Sequence, residues 1–234
     1  MTSSRFDAAI IDLDGTMVDT MGDFAVALNL MLADLALPAI AKERVEAMVG
    51  KGSEHLIISV LNHALAQVGR ANTAIKSGVD EAQALYPSAW QSYQQHYLAV
   101  NGQHSAVYLG VREGLDALRA QGLKLACLTN KPTAFALPLL AAKGLDGYFS
   151  QVFGGDAFAR KKPDPLPLLK TCEALGTLPE RTLMVGDSSN DAQAARAAGC
   201  RVVLVTYGYS HGAPVRAVDA DGFVDSLAEL AGCL

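Results

Sequence analysis

Apolar residues along this chain follow two rhythms. From Met21 to about Asn101 they recur three and four residues apart, as in Phe24, Leu28, Leu32 and Leu35, and again in Leu56, Val60, Leu61 and Leu65. That spacing lays one apolar stripe along a helix, so the pattern predicts an all-helical stretch. Ser53 stands where the second of these helices would start, and the polar run Gln67 to Asp80 reads as a loop or linker. From Gly110 onward, short apolar runs alternate with helical segments. Strands are predicted at Leu123–Leu128, Gln151–Phe153, Thr182–Val185 and Arg201–Thr206. Helices are predicted at Val111–Ala120, Thr133–Ala142, Pro165–Leu175 and Asp191–Ala198, with Gly144, Gly176 and Gly199 where helices end. One more apolar run, Ala8-Ala9-Ile10-Ile11, precedes the helical stretch and reads as a buried strand too short to span a membrane.

Strands alternating with helices predict an α/β fold with a parallel sheet and right-handed crossovers. Because the first strand lies before the helical stretch, that stretch reads as an insertion, residues 18–105, into a core formed by residues 1–17 and 106–234. Half the residues are hydrophobic, 50%, which supplies a sizeable core and excludes wholesale disorder. Lys+Arg 19 against Asp+Glu 24 gives a net charge of −5, arguing against nucleic acid or an anionic membrane as the partner. Cys127, Cys172, Cys200 and Cys233 show no metal-binding spacing and read as reduced, mostly buried thiols. With no apolar signal core near Met1 and no transmembrane-length run, a soluble, cytoplasmic protein is expected.

The chemistry gathers at strand ends. Asp12-Leu13-Asp14-Gly15-Thr16 follows the first strand, so two carboxylates are delivered to the carboxyl edge of a sheet, where open α/β folds put their ligands. Two ionised carboxylates this close repel, and a fold that keeps them needs a cation to offset them. Thr129-Asn130 follows the next core strand, with a hydroxyl and an amide that suit either a phosphate oxygen or a plain helix N-cap. Lys161-Lys162-Pro163-Asp164-Pro165 precedes a helix, where one lysine could turn inward or both could be solvated. Gly186-Asp187-Ser188-Ser189-Asn190-Asp191 adds a second carboxylate pair. Together these clusters offer oxygen ligands for a hard divalent cation and donors for an anion, the inventory of phosphoryl transfer.

In this order, Asp12-Leu13-Asp14-Gly15-Thr16, Leu128-Thr129-Asn130, Lys162-Pro163 and Gly186 to Asp191 resemble the four motifs of the haloacid dehalogenase superfamily of phosphohydrolases. The resemblance covers nearly the whole chain and implies a Rossmann-like core with the insert as a small, mobile α-helical cap. Val49-Gly50-Lys51-Gly52 and Thr206-Tyr207-Gly208-Tyr209-Ser210-His211-Gly212 are similar to stretches of bacterial phosphoglycolate phosphatases. The resemblance implies Asp12 as nucleophile and Asp14 as general acid and base. It implies Mg²⁺ on the Asp12 carboxylate, the Asp14 backbone carbonyl and the Asp187 carboxylate, with Asp191 orienting Lys162 or the metal site. Thr129, the Asn130 backbone and Lys162, preferred over Lys161, would hold the phosphoryl oxygens. Lys51 would meet a substrate carboxylate or remain a solvated loop charge.

The implied reaction is Mg²⁺-dependent hydrolysis of a small phosphate monoester, 2-phosphoglycolate foremost, by a monomer or homodimer. Dehalogenases need no second carboxylate and phosphonoacetaldehyde hydrolases lack the acid/base aspartate, so Asp14 argues against both. A β-phosphoglucomutase-like enzyme or another sugar phosphatase remains as the alternative. Against the mutase, Gly52-Ser53-Glu54 stands in place of a Ser-Arg pair and Phe24 in place of a histidine. A receiver-like phospho-aspartate switch is disfavoured by the early acidic motif and the helical insert.

Overall fold

The computed structural model describes residues 5–49, 52–69, 81–209 and 214–233. The chain divides into two compact units, Met1–Asp19 with Ala106–Leu234, and Thr20–Ser105. Of the expected loop Gln67 to Asp80, Gln67 is instead the last residue of a helix and residues 70–80 lie outside the described residues, as do Gly50, Lys51 and the stretch Ser210 to Gly212.

The first unit is built on a six-stranded sheet. Its strands are β1 (Ala8–Ile11), β4 (Lys124–Leu128), β5 (Gln151–Phe153), β6 (Thr182–Gly186), β7 (Arg201–Val205) and β8 (Gly222–Val224). They lie in the order β5-β4-β1-β6-β7-β8, every neighbouring pair parallel. β1, which carries the first acidic motif, is thus central. The apolar runs are continuous because both faces are covered. Ala9, Ile11, Leu125, Cys127, Leu183, Val185, Val203 and Val205 face one core, with α5 (Val111–Ala120) and α6 (Thr133–Ala142) packed on it. The alternate residues Ala8, Ile10, Ala126, Leu128, Met184, Val202 and Leu204 face the other, covered by α7 (Leu166–Leu175) and α8 (Ser189–Ala198). This is a three-layer parallel α/β fold of the Rossmann type.

Observed bounds differ from the sequence expectation by a residue or two where capping decides. Pro165 is the N-cap of α7 rather than its first residue, since a proline ring fits ahead of the first turn. α8 starts at Ser189 rather than Asp191, because the Asp191 carboxylate reaches back to the Ser188 N–H at 3.2 Å and caps the helix there. Two features had no signal strong enough to read. β8 is a three-residue edge strand. β2 (Val18–Asp19) and β3 (Ala106–Val107) form a two-residue antiparallel ribbon that places Val18 and Asp19 in the first unit rather than in the insert.

The second unit contains α1 (Met21–Asp34), α2 (Lys42–Glu46), α3 (Ser53–Gln67) and α4 (Glu81–Val100). The expected stripe is buried in Phe24, Leu28 and Leu32 of α1 and in Leu56, Val60, Leu61 and Leu65 of α3. Leu35, at the C-cap of α1, is half-buried. α4 adds an aromatic ladder: Tyr97 lies 5.6 Å from Phe24 and 5.4 Å from Tyr93, ring centre to ring centre. Asp23 is fully buried and accepts from the N–H groups of Gly102 at 2.8 Å and His104 at 2.7 Å, tying the start of α1 to the segment after α4.

Candidate active site

Parallel strands carried on by helices leave their loops at one edge, and there the structure gathers Asp12, Asp14, Thr129, Asn130, Lys162, Asp187 and Asp191. Lys162 is the centre of this cluster. Its side chain is buried, and Nζ stands 3.0 Å from Asp12 Oδ1 and 2.7 Å from Asp191 Oδ1 while donating to the Leu128 carbonyl at 2.8 Å. Burial works against its charge, but the Asp12 and Asp191 carboxylates more than offset it, so its pKa lies above that of an ordinary lysine. Lys161, the competing residue, is exposed. The loop that carries Lys162 is braced from the second motif, since Asn130 Nδ2 donates to the Lys162 carbonyl at 2.8 Å.

The carboxylates are crowded. Oxygens of Asp12, Asp187 and Asp191 all lie within 4.8 Å of one another, and all three residues are buried. Burial, with the Asp191 charge adding to it and Lys162 opposing, raises Asp12 to about 7. Burial, followed by the charges of Asp191 and Asp12, also raises Asp187 well above the usual carboxylate range. Asp191 has both oxygens engaged: Oδ1 with Lys162, and Oδ2 with Ser188 Oγ at 2.9 Å and the N–H groups of Ser188 and Asp187 at 3.2 and 3.3 Å. That leaves Asp12 and Asp187 as the carboxylates suited to a cation.

Asp187 is held in a slot between two glycine backbones. A Cβ on Gly15 would meet Asp187 Oδ2 at 2.1 Å, and one on Gly208 would meet Asp187 Cβ at 2.2 Å. Oδ2 also accepts the Tyr209 N–H at 2.6 Å. Tyr209 is itself anchored, its hydroxyl donating to Asp19 Oδ1 at 2.7 Å, and Tyr207 donates to the Thr16 carbonyl at 2.8 Å. The loop after β7 therefore supports the acidic site, a role the sequence did not reveal beyond a resemblance.

Thr129 is buried, and its hydroxyl oxygen accepts the Lys131 N–H at 3.1 Å, so its own proton can be given to an anion. Lys131 is the residue that sequence reasoning missed. Its Nζ binds both oxygens of Asp14, at 2.9 and 3.1 Å. The available signal was its place one residue past Thr129-Asn130, on a loop already assigned to the site. Four carboxylates (Asp12, Asp14, Asp187, Asp191) against two ammonium groups (Lys131, Lys162) leave the cluster with a formal charge of −2. A divalent cation on hard oxygen ligands would offset that charge. Cys127, buried beside the cluster, has its thiol pKa raised by burial and takes no part as a nucleophile.

The geometry can be set beside known proteins. A family model described as haloacid dehalogenase-like hydrolase matches residues 9–205. The chain is 44% identical over 224 residues to a phosphoglycolate phosphatase of Thiobacillus denitrificans, covering 96% of this chain and 93% of that protein. It is 42% identical over 227 residues to a plasmid phosphoglycolate phosphatase of Cupriavidus necator, covering 97% and 92%. Its fold is similar to the crystal structure of a predicted phosphoglycolate phosphatase from Haemophilus somnus, with a TM-score of 0.90, 33% identity and 98% of each chain covered.

Proposed function

We propose that this chain, which belongs to the haloacid dehalogenase-like hydrolase family, hydrolyses 2-phosphoglycolate to glycolate and phosphate. Its relatives in Thiobacillus denitrificans and Cupriavidus necator carry the name of that activity. The observation that carries the mechanism is the ammonium of Lys162 set 3.0 Å from Asp12 and 2.7 Å from Asp191 at the carboxyl edge of the sheet.

Asp12 is the nucleophile: a carboxylate oxygen attacks phosphorus, the P–O ester bond breaks, and an aspartyl phosphate forms. Asp14 gives its proton to the departing alkoxide, then takes one from the water that attacks the aspartyl phosphate and releases inorganic phosphate. Lys162 and the Thr129 hydroxyl hold phosphoryl oxygens as charge shifts onto them, with the Asn130 backbone completing the cradle. Asp191 keeps Lys162 in place. The carboxylates of Asp12 and Asp187 and the backbone carbonyl of Asp14 would hold Mg²⁺. The cation, when bound, supplies positive charge that keeps the nucleophile ionised and stabilises the transferring group. The resemblance carries the further expectation that the helical unit serves as a mobile cap and that Lys51 meets the substrate carboxylate or remains a solvated loop charge.

The test is phosphate release from a panel of small phosphate monoesters with Mg²⁺ and with EDTA. The highest kcat/KM should fall on 2-phosphoglycolate, and EDTA should silence the enzyme. A clear preference for a sugar phosphate would overturn the substrate, and full activity in EDTA would overturn the metal.

A further inference from the structure

Lys131 has no part in the reaction as written, yet it is built into the site with unusual care for a lysine. Its side chain is 2% exposed, whereas that of its partner Asp14 is 15% exposed. A buried ammonium is costly unless paired, and here both oxygens of one carboxylate receive it, at 2.9 and 3.1 Å. The residue is pinned at its main chain as well. Its N–H donates to Thr129 Oγ1 at 3.1 Å, and its carbonyl accepts from Gly155 N at 2.9 Å. Gly155 packs so closely on this turn that a Cβ there would meet the Asn130 carbonyl oxygen at 2.3 Å. The ammonium is thus a fixed point to which the Asp14 carboxylate is fastened.

A carboxylate has about four lone-pair directions, two on each oxygen. An ammonium astride both oxygens uses one on each. It sets the plane of the carboxyl group, and the Asp14 side chain keeps 15% of its surface exposed. We propose that Lys131 is a positioning residue for Asp14, holding its carboxyl group in the orientation from which the proton passes to the leaving alkoxide. The proposal rests on the role of Asp14 given above. Misplacing a catalytic group by about 1 Å costs on the order of 10²-fold, and general acid catalysis is worth roughly 10²–10⁴-fold. Loss of Lys131 therefore removes part of the Asp14 contribution and leaves phosphate binding by Thr129 and Lys162 in place.

The proposal predicts a dependence on the leaving group that a structural ion pair does not. Glycolate and ethylene glycol leave as basic alkoxides and need the proton. p-Nitrophenolate leaves readily without one. kcat/KM is measured for 2-phosphoglycolate, 2-hydroxyethyl phosphate and p-nitrophenyl phosphate with wild type, Lys131→Met, Asp14→Asn and the double variant. Lys131→Met should lower kcat/KM on both alkyl phosphates by ~10–100-fold and on p-nitrophenyl phosphate by only a few-fold. In the Asp14→Asn background the same change should add little, because the residue it positions is gone. Equal losses on all three substrates would make Lys131 a structural residue and overturn the proposal. A loss confined to 2-phosphoglycolate would make it a carboxylate-binding residue and overturn it as well. If Asp14→Asn itself shows no leaving-group dependence, the acid role of Asp14 fails, and the proposal with it. Should Lys131→Met not fold, Lys131→Arg keeps the charge with a different donor geometry. A smaller loss with the same leaving-group bias is then expected, and its absence would count against the positioning role.

Discussion

Replacing Asp191 by asparagine tests the central claim that a buried carboxylate organises the site. The side chain is 1% exposed and accepts from four donors. These are Lys162 Nζ at 2.7 Å on Oδ1, and Ser188 Oγ at 2.9 Å with the Ser188 and Asp187 N–H groups at 3.2 and 3.3 Å on Oδ2. An amide has one acceptor end and one donor end. With its oxygen toward Ser188, its NH₂ group faces the Lys162 ammonium; turned round, it faces the other three donors. Either orientation leaves buried donors unpaired, at about 1–3 kcal/mol, and loses a charge-assisted bond worth about 1.5–3 kcal/mol. Relief of the repulsion that Asp191 exerts on Asp12 and Asp187 offsets part of this. A net loss of about 2–4 kcal/mol is expected, within the scale for breaking a buried ion pair. For a chain of this size that corresponds to a Tm lower by roughly 4–16 °C. Thermal unfolding followed by circular dichroism in EDTA reads it without interference from a bound cation. Most of the loss should disappear as a separate effect when Lys162→Met is already present. A Tm within about 2 °C of wild type would refute the reasoning, since that shift corresponds to less than about 1 kcal/mol.

Three further outcomes follow from the same geometry. Asp12→Asn should abolish turnover of every substrate while the protein stays folded, because the amide keeps the shape and loses the nucleophile; steady-state activity near the wild-type level would remove Asp12 from its role. Gly208→Ala should raise the Mg²⁺ concentration needed for activity by roughly tenfold or more, since its Cβ would lie 2.2 Å from Asp187 Cβ and must displace that ligand; an unchanged Mg²⁺ titration would show that the slot is not needed. The metal-free Asp12 carboxyl, raised to about 7 by burial, binds a proton that a cation must displace, so the affinity for Mg²⁺ should fall as pH drops through that value. Direct Mg²⁺ titration by calorimetry from about pH 8 to about pH 6 checks this, and a constant affinity would contradict it.

Much of this protein is written locally. The runs Ala8–Ile11, Leu123–Leu128, Thr182–Val185 and Arg201–Thr206 read as strands because burial on both faces demands mostly apolar residues. The stripes of α1 and α3 read as helices because one face of each must be dry. With strand ends located, parallel topology alone carries Asp12, Thr129, Lys162 and Asp187 to one edge. What the tertiary structure decided are the contacts between residues distant in the chain. Which of two adjacent lysines turns inward depends on the Leu128 carbonyl and on Asp191, 34 and 29 residues away from Lys162. That Lys131 grips Asp14, 117 residues earlier, has no periodicity to announce it. Nor does the fit of Asp187 between Gly15 and Gly208, where a missing Cβ on each side makes the room. Periodicity records which face of an element is buried, and a one-dimensional pattern can carry that. The pairing of charged side chains depends on distances set only when the strands align.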